Sequence, residues 1–175
     1  MISALEYAYA NYGSTATLHS LLPEMKFTPA SAWYDADEAS CREAMASRIL
    51  LRSESPLPPF VSNVVAQYFT ISSIEPIRLA EIDTSLDVTA LPEALVLSHS
   101  TDLDGYLCVD EGSYVASNLD LHLRRSQLAY RTPSGQSALA ILTATATSEM
   151  WGFIETELQE LEQQWLSATI RPVIP

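Results

Sequence analysis

Residues 148–168, SEMWGFIETELQELEQQWLSA, place Trp151, Ile154, Leu158, Leu161 and Trp165 at alternating spacings of three and four. That period draws one apolar stripe along a helix. Glu155, Glu157, Gln159, Glu160, Glu162, Gln163 and Gln164 fill the other face. Ser148 is suited to the N-cap, and Glu149 puts negative charge in the first turn, where the helix dipole favours it. Residues 171–175, RPVIP, cannot continue the helix and are expected to trail in an extended form. A single amphipathic helix of this length needs a large apolar surface to lie on.

The residues upstream supply one. Stretches 127–131 and 137–145 read as strands around Pro133-Ser134-Gly135, a hairpin signal. Residues 94–99 and 106–109 read as two more, joined by 100–105, whose Asp104-Gly105 suits a tight turn. Residues 77–82 alternate as a further strand, and 113–125 read as a helix carrying Val115, Leu119, Leu121 and Leu123. The N-terminal part reads as helical. Helices are expected over 3–12, ended by Gly13; over 14–22, with Leu18, Leu21 and Leu22 on one face before Pro23; and over 36–52, capped by Asp35 or Asp37. Residues 24–34 read as loop and 53–59 as a linker. Residues 60–70 read as a helix opened by Pro58 or Pro59, although Val61, Val64 and Val65 leave a strand open. The fold class is therefore α+β. A helical N-terminal extension (1–76) packs on a β-β-β-α-β-β-α core (77–175), whose antiparallel sheet lies on the long C-terminal helix.

Composition sets outer limits. With 175 residues, 47% of them hydrophobic and 18% charged, the chain can build a core and is not a disordered acidic tail. Its formal charge of −13 comes from 22 Asp and Glu against 9 basic residues, eight of which are Arg, with Lys26 the exception. That balance excludes nucleic acid and anionic membrane surfaces as partners, since both need Lys and Arg to meet phosphate. The first residues lack the basic start and apolar run of a secretory signal, and no apolar stretch is long enough to span a bilayer. Cys41 and Cys108 are too few for a disulfide framework and read as small buried hydrophobes. A cytoplasmic protein is expected.

No constellation specifies a reaction, so no enzyme and no cofactor are expected. Residues 100–111 lay Asp102, Asp104, Gly105 and Glu111 on the spacing of a calcium loop. Ser100 stands where the first ligand should be an acid, and the flanks read as strands, so a hairpin with an acidic turn is the better reading and no metal is expected. His19, His99 and His122 are scattered and read as satisfied histidines. No nucleophile-elbow string and no phosphate-cradling glycine loop is present. Pro56-Leu57-Pro58-Pro59 has the PxxP spacing of an SH3-type ligand but reads as a stiff connector.

The element order over 77–168 resembles the class I type III secretion chaperones. The residues that carry the resemblance are Asn118, Leu128-Ala129-Tyr130, Gly135, Leu139-Ala140-Ile141-Leu142 and Glu149 through Trp165. It implies a non-enzymatic homodimer that holds a non-globular segment of a secreted effector. A second reading uses the charge directly: an immunity or antitoxin protein that covers a basic toxin domain. Either way the partner is a protein. The candidate contact residues are the acidic turn residues Asp102, Asp104, Asp110 and Glu111, and Trp151 and Phe153 on the last helix.

Overall fold

The computed structural model describes residues 3–22 and 25–170. One antiparallel sheet of eight strands dominates it, in the order β2-β3-β4-β8-β7-β6-β5, with β1 paired to β4 off this path. The strands are β1 (Ala16–His19), β2 (Trp33–Asp35), β3 (Arg48–Arg52), β4 (Asn63–Ile71), β5 (Leu95–Asp102), β6 (Leu107–Ala116), β7 (Leu119–Arg131) and β8 (Ser137–Thr147). Five α-helices accompany them among the described residues: α1 (Ala4–Tyr12), α2 (Glu38–Glu43), α3 (Pro76–Ala80), α4 (Ser85–Thr89) and α5 (Ser148–Ile170).

The α+β class and the antiparallel sheet packed on the long last helix are as expected. Trp151, Ile154, Leu158, Leu161 and Trp165 of α5 are buried against Val64, Ala66 and Tyr68 of β4, Leu128 and Tyr130 of β7, and the even-numbered alanines and leucine of β8. Trp165 and Ile154 lose all exposure. The opposite face carries a second apolar cluster, where Ala4 and Ala8 of α1 and Leu79 of α3 cover Ile71, Leu139 and Ile141. The cap of α5 sits one residue earlier than expected, since Thr147 Oγ1 accepts the Met150 amide at 3.3 Å. The extended tail expected for 171–175 lies outside the described residues.

The N-terminal part is not a helical layer laid on a separate core. Residues 1–76 contribute four strands, and β4 pairs with β8 through nine consecutive residues, so the sheet runs continuously across position 76. The expected helix 36–52 is six residues of α2, capped by Asp37 accepting the Ser40 amide at 2.8 Å, followed by β3. Arg48 and Arg52 lie four apart, a spacing that shares a face in a helix and in a strand alike. Residues 60–70 take the strand alternative. The expected helix over 14–22 is β1, and the loop assigned to 24–34 ends in Trp33 of β2.

Two further assignments reverse. The expected strand 77–82 is α3, started by Pro76 at the first helical position. The expected helix 113–125 is the end of β6 and the start of β7, turned by Ser117 (φ 52°) and Asn118 (φ 61°). Leu119, Leu121 and Leu123 alternate with polar residues, which is the strand period, and the two positive φ values make the primed turn that hairpins favour. The middle helix of the secretion-chaperone pattern is therefore a hairpin, with Asn118 in its turn.

Candidate functional site

β5 is one terminal strand of the sheet, and among the described residues no strand pairs with its outer side. Its eight residues, Leu95 to Asp102, are nearly all exposed. The pairing with β6 shifts register between Val96 and Ser98, where Leu97 forms a bulge. Leu95 is 59% exposed and Leu97 is 50% exposed, with Leu86 of α4 and Leu103 of the following turn also open to solvent. An edge of this kind presents unpaired backbone N–H and C=O groups together with apolar side chains. The terminal strand at the other side, β2, has only three residues, and its Asp35 is held by Arg48 at 2.5 Å.

The six nominated residues do not form one surface. Asp102 and Asp104 do stand at the tip of the β5–β6 hairpin, both exposed, where Asp102 accepts the Leu103 amide at 2.7 Å. Asp104 takes a left-handed conformation (φ 56°), which Asp tolerates better than most residues. Asp110 and Glu111 are not in the turn but in β6, and as neighbours in a strand they point to opposite faces. Phe153 is 80% exposed on α5, whereas Trp151 is buried, with its ring stacked on His122 at 4.0 Å. The calcium-loop spacing is thus broken by the fold, and no group of three metal-capable side chains occurs among the described residues.

Asp110 has no solvent exposure. His99 of β5 lies opposite it in register and donates from Nδ1 at 2.7 Å, while the Thr84 hydroxyl, arriving from the start of α4, donates to the other carboxylate oxygen. Arg125 of β7 lies opposite on the other side and donates to Asp87 of α4 at 3.0 Å and to Thr143 at 3.4 Å. Burial pushes the Asp87 carboxyl up and the Arg125 guanidinium down, each partly offset by the other's charge. Burial likewise raises the nearby Cys108 thiol, so it stays protonated, in keeping with a small hydrophobe.

On the α5 face, Glu111 accepts from His122 Nε2 at 2.8 Å and from Arg124 at 3.3 Å. Arg124 also donates to Glu162 of α5 at 3.0 Å, and the Ser126 hydroxyl donates to the same carboxylate. At the other side of the sheet, Arg52 grips Glu157 of α5 with two bonds of 3.1 Å, and the Trp33 indole adds a third at 3.0 Å. The Arg52 bonds, then that of Trp33, hold Glu157 below the ordinary carboxylate range. These ties fix the helix on the sheet. All three histidines have partners, His19 through Thr70 at 2.7 Å, as expected of satisfied histidines.

Sequence reasoning missed Leu95 and Leu97 as contact candidates. Their apolar character was visible, but the terminal position of β5 depends on a strand order that β1–β4 help to set.

No protein-family model matches the chain, and no curated protein matches it. Among solved structures, the fold is similar to that of LpqN from Mycobacterium tuberculosis, a protein involved in cell envelope biogenesis. The likeness has a TM-score of 0.72 at 16% identity and covers 90% of this chain and 92% of that one. A protein of unknown function from Pseudomonas aeruginosa, PA94, described as a putative regulator, matches at a TM-score of 0.45 and 17% identity over 85% of this chain and 94% of that one. The first likeness supports the shared architecture. Among the described residues no helix is long and apolar enough to cross a membrane.

Proposed function

We propose that this chain is a non-enzymatic protein-binding protein that takes up an extended, basic segment of a partner along the outer side of β5. The observation that carries the reading is the open eight-residue edge bearing Leu95 and Leu97, running into the acidic tip at Asp102 and Asp104. A strand added there gains backbone hydrogen bonds along its length and seats alternate apolar side chains on Leu95 and Leu97. Lysine or arginine at one end of the segment meets the two tip carboxylates, and the −13 net charge speeds capture. The same charge on two copies opposes self-pairing along this edge.

The test is a fluorescence-anisotropy titration with a labelled eight-residue peptide alternating valine and lysine. The expected result is saturable binding that weakens as salt rises. Asp102→Asn with Asp104→Asn should weaken it by about 2–10-fold, as two exposed charge pairs allow. Leu95→Lys with Leu97→Lys should weaken it further while leaving the circular dichroism spectrum unchanged. Binding that ignores both double variants removes the edge from the account. A dimer that the Lys variants dissolve would replace the partner segment with a second copy.

A further inference from the structure

A cavity of about 360 Å³ opens beside the tip of the β5–β6 hairpin. It lies at a step in the sheet, where β7 outruns its neighbour: β6 begins opposite Leu128, whereas β7 continues to Arg131. The start of α3 and the last residue of α5 wall the step from opposite faces. Ile77, Leu103, Tyr106, Leu128 and Ile170 give the cavity an apolar lining, and its two charged side chains, Glu75 and Arg131, pair with each other. Ile77 is 39% exposed and Leu103 is 40% exposed, so part of this lining is open to solvent.

Leu103 joins the cavity to the β5 edge. It follows Asp102 directly, and Leu103, Asp104 and Gly105 are consecutive residues with positive φ (52°, 56° and 88°). Such a backbone suits glycine and is tolerated by aspartate, but it crowds the Cβ of a leucine against the next carbonyl. The tip nevertheless holds a leucine there, with its side chain against the cavity. An acid stands on either side of this apolar wall in the chain. That arrangement suits a partner in which a basic residue and a bulky apolar one lie close together. A segment leaving the edge past Asp102 needs only about two extended residues, about 7 Å, to reach the cavity.

We propose that the partner segment carries, two to three residues beyond its basic end, an anchor of phenylalanine size that fills this cavity. The proposal rests on the edge-binding reading and names the residue class that sets the segment's register. Backbone pairing along β5 alone permits slippage, whereas one seated side chain fixes the position. The anchor is uncharged because Glu75 and Arg131 already neutralise each other and the remaining walls are apolar.

The experiment extends the eight-residue valine–lysine peptide by Ser-Ser-Phe at either end, with Ser-Ser-Ala extensions as length controls, in the same anisotropy titration of the full chain. At one of the two ends the Phe peptide should bind about tenfold tighter than its Ala control, equivalent to about 1.4 kcal/mol. Leu103→Asn, which suits the left-handed backbone, combined with Ile77→Ser should erase that gain and leave binding of the unextended peptide unchanged. In the parent protein, the methyl signals of Ile77 and Ile170 in ¹³C-resolved NMR should shift with that Phe peptide and stay in place with its Ala control. Failure of the unextended peptide to bind would remove the edge reading and the anchor together. Binding of the unextended peptide with neither Phe peptide outdoing its control would remove the anchor alone. A gain that survives the double variant, unmoved Ile77 and Ile170 signals, or a gain that appears only after residues 171–175 are deleted would each overturn the proposal.

Discussion

Replacing Asp110 by Ala separates a structural acid from a contact acid. Asp110 has no exposure and accepts hydrogen bonds from His99 and Thr84, with Arg125 opposite it in the ladder. Hydrogen bonds to a charged group contribute about 1.5–3 kcal/mol each, and the substitution removes two of them, leaving the buried Thr84 hydroxyl without its partner. The loss is therefore about 3 kcal/mol at the lower end. A chain of this size loses about 2–4 °C of melting temperature per kcal/mol, so Asp110→Ala should melt about 6–12 °C lower. Asp102→Asn and Asp104→Asn, at exposed positions, should each change stability by less than about 0.5 kcal/mol. Thermal denaturation followed by circular dichroism measures all three. The reasoning fails if Asp110→Ala melts within 2 °C of the parent.

The remaining expectations concern the ties around the sheet. Glu157 is held below its ordinary value by Arg52, so its contribution is present above the unfolded value of 4.5 and is lost as pH falls through the folded value. The stability gap between the parent and Glu157→Gln should thus be widest near neutral pH and close on acidification, as urea titrations at several pH values will show. An added Cβ at Gly112 would lie 2.5 Å from Val88 and 2.8 Å from the Leu95 carbonyl oxygen. Gly112→Ala should cost about 1–3 kcal/mol in urea denaturation and loosen α4 together with the start of β5. Asn118 sits at φ 61° in the β6–β7 turn, so Asn118→Gly should stabilise by about 0.5–1 kcal/mol in the same assay.

The parts of the fold legible in the sequence are those with an unambiguous period. The stripe from Trp151 to Trp165 can only be a helix, and Pro133-Ser134-Gly135 between two apolar runs can only be a turn. The N-terminal strands were hidden because Arg48 and Arg52, four apart, satisfy helix and strand equally, and only pairing with β4 decides between them. The hairpin at Ser117 and Asn118 lacks the usual glycine, which concealed a turn inside Ser113–Arg125. The candidate site was legible in the same uneven way. Asp102 and Asp104 lie at an exposed turn because Asp104-Gly105 marks one locally. Asp110 and Glu111 are drawn onto opposite faces by strand pairing, and Trp151 is drawn inward by His122.

The most direct test of the edge-binding account is backbone hydrogen exchange across Leu95–Asp102, with and without the valine–lysine peptide. The account predicts that the outward-facing amides of β5 exchange fast in the free protein and slow on peptide addition, while amides of β7 and β8 stay slow throughout. Protection of β5 already present without peptide, or peptide-induced protection confined to another element, would contradict it.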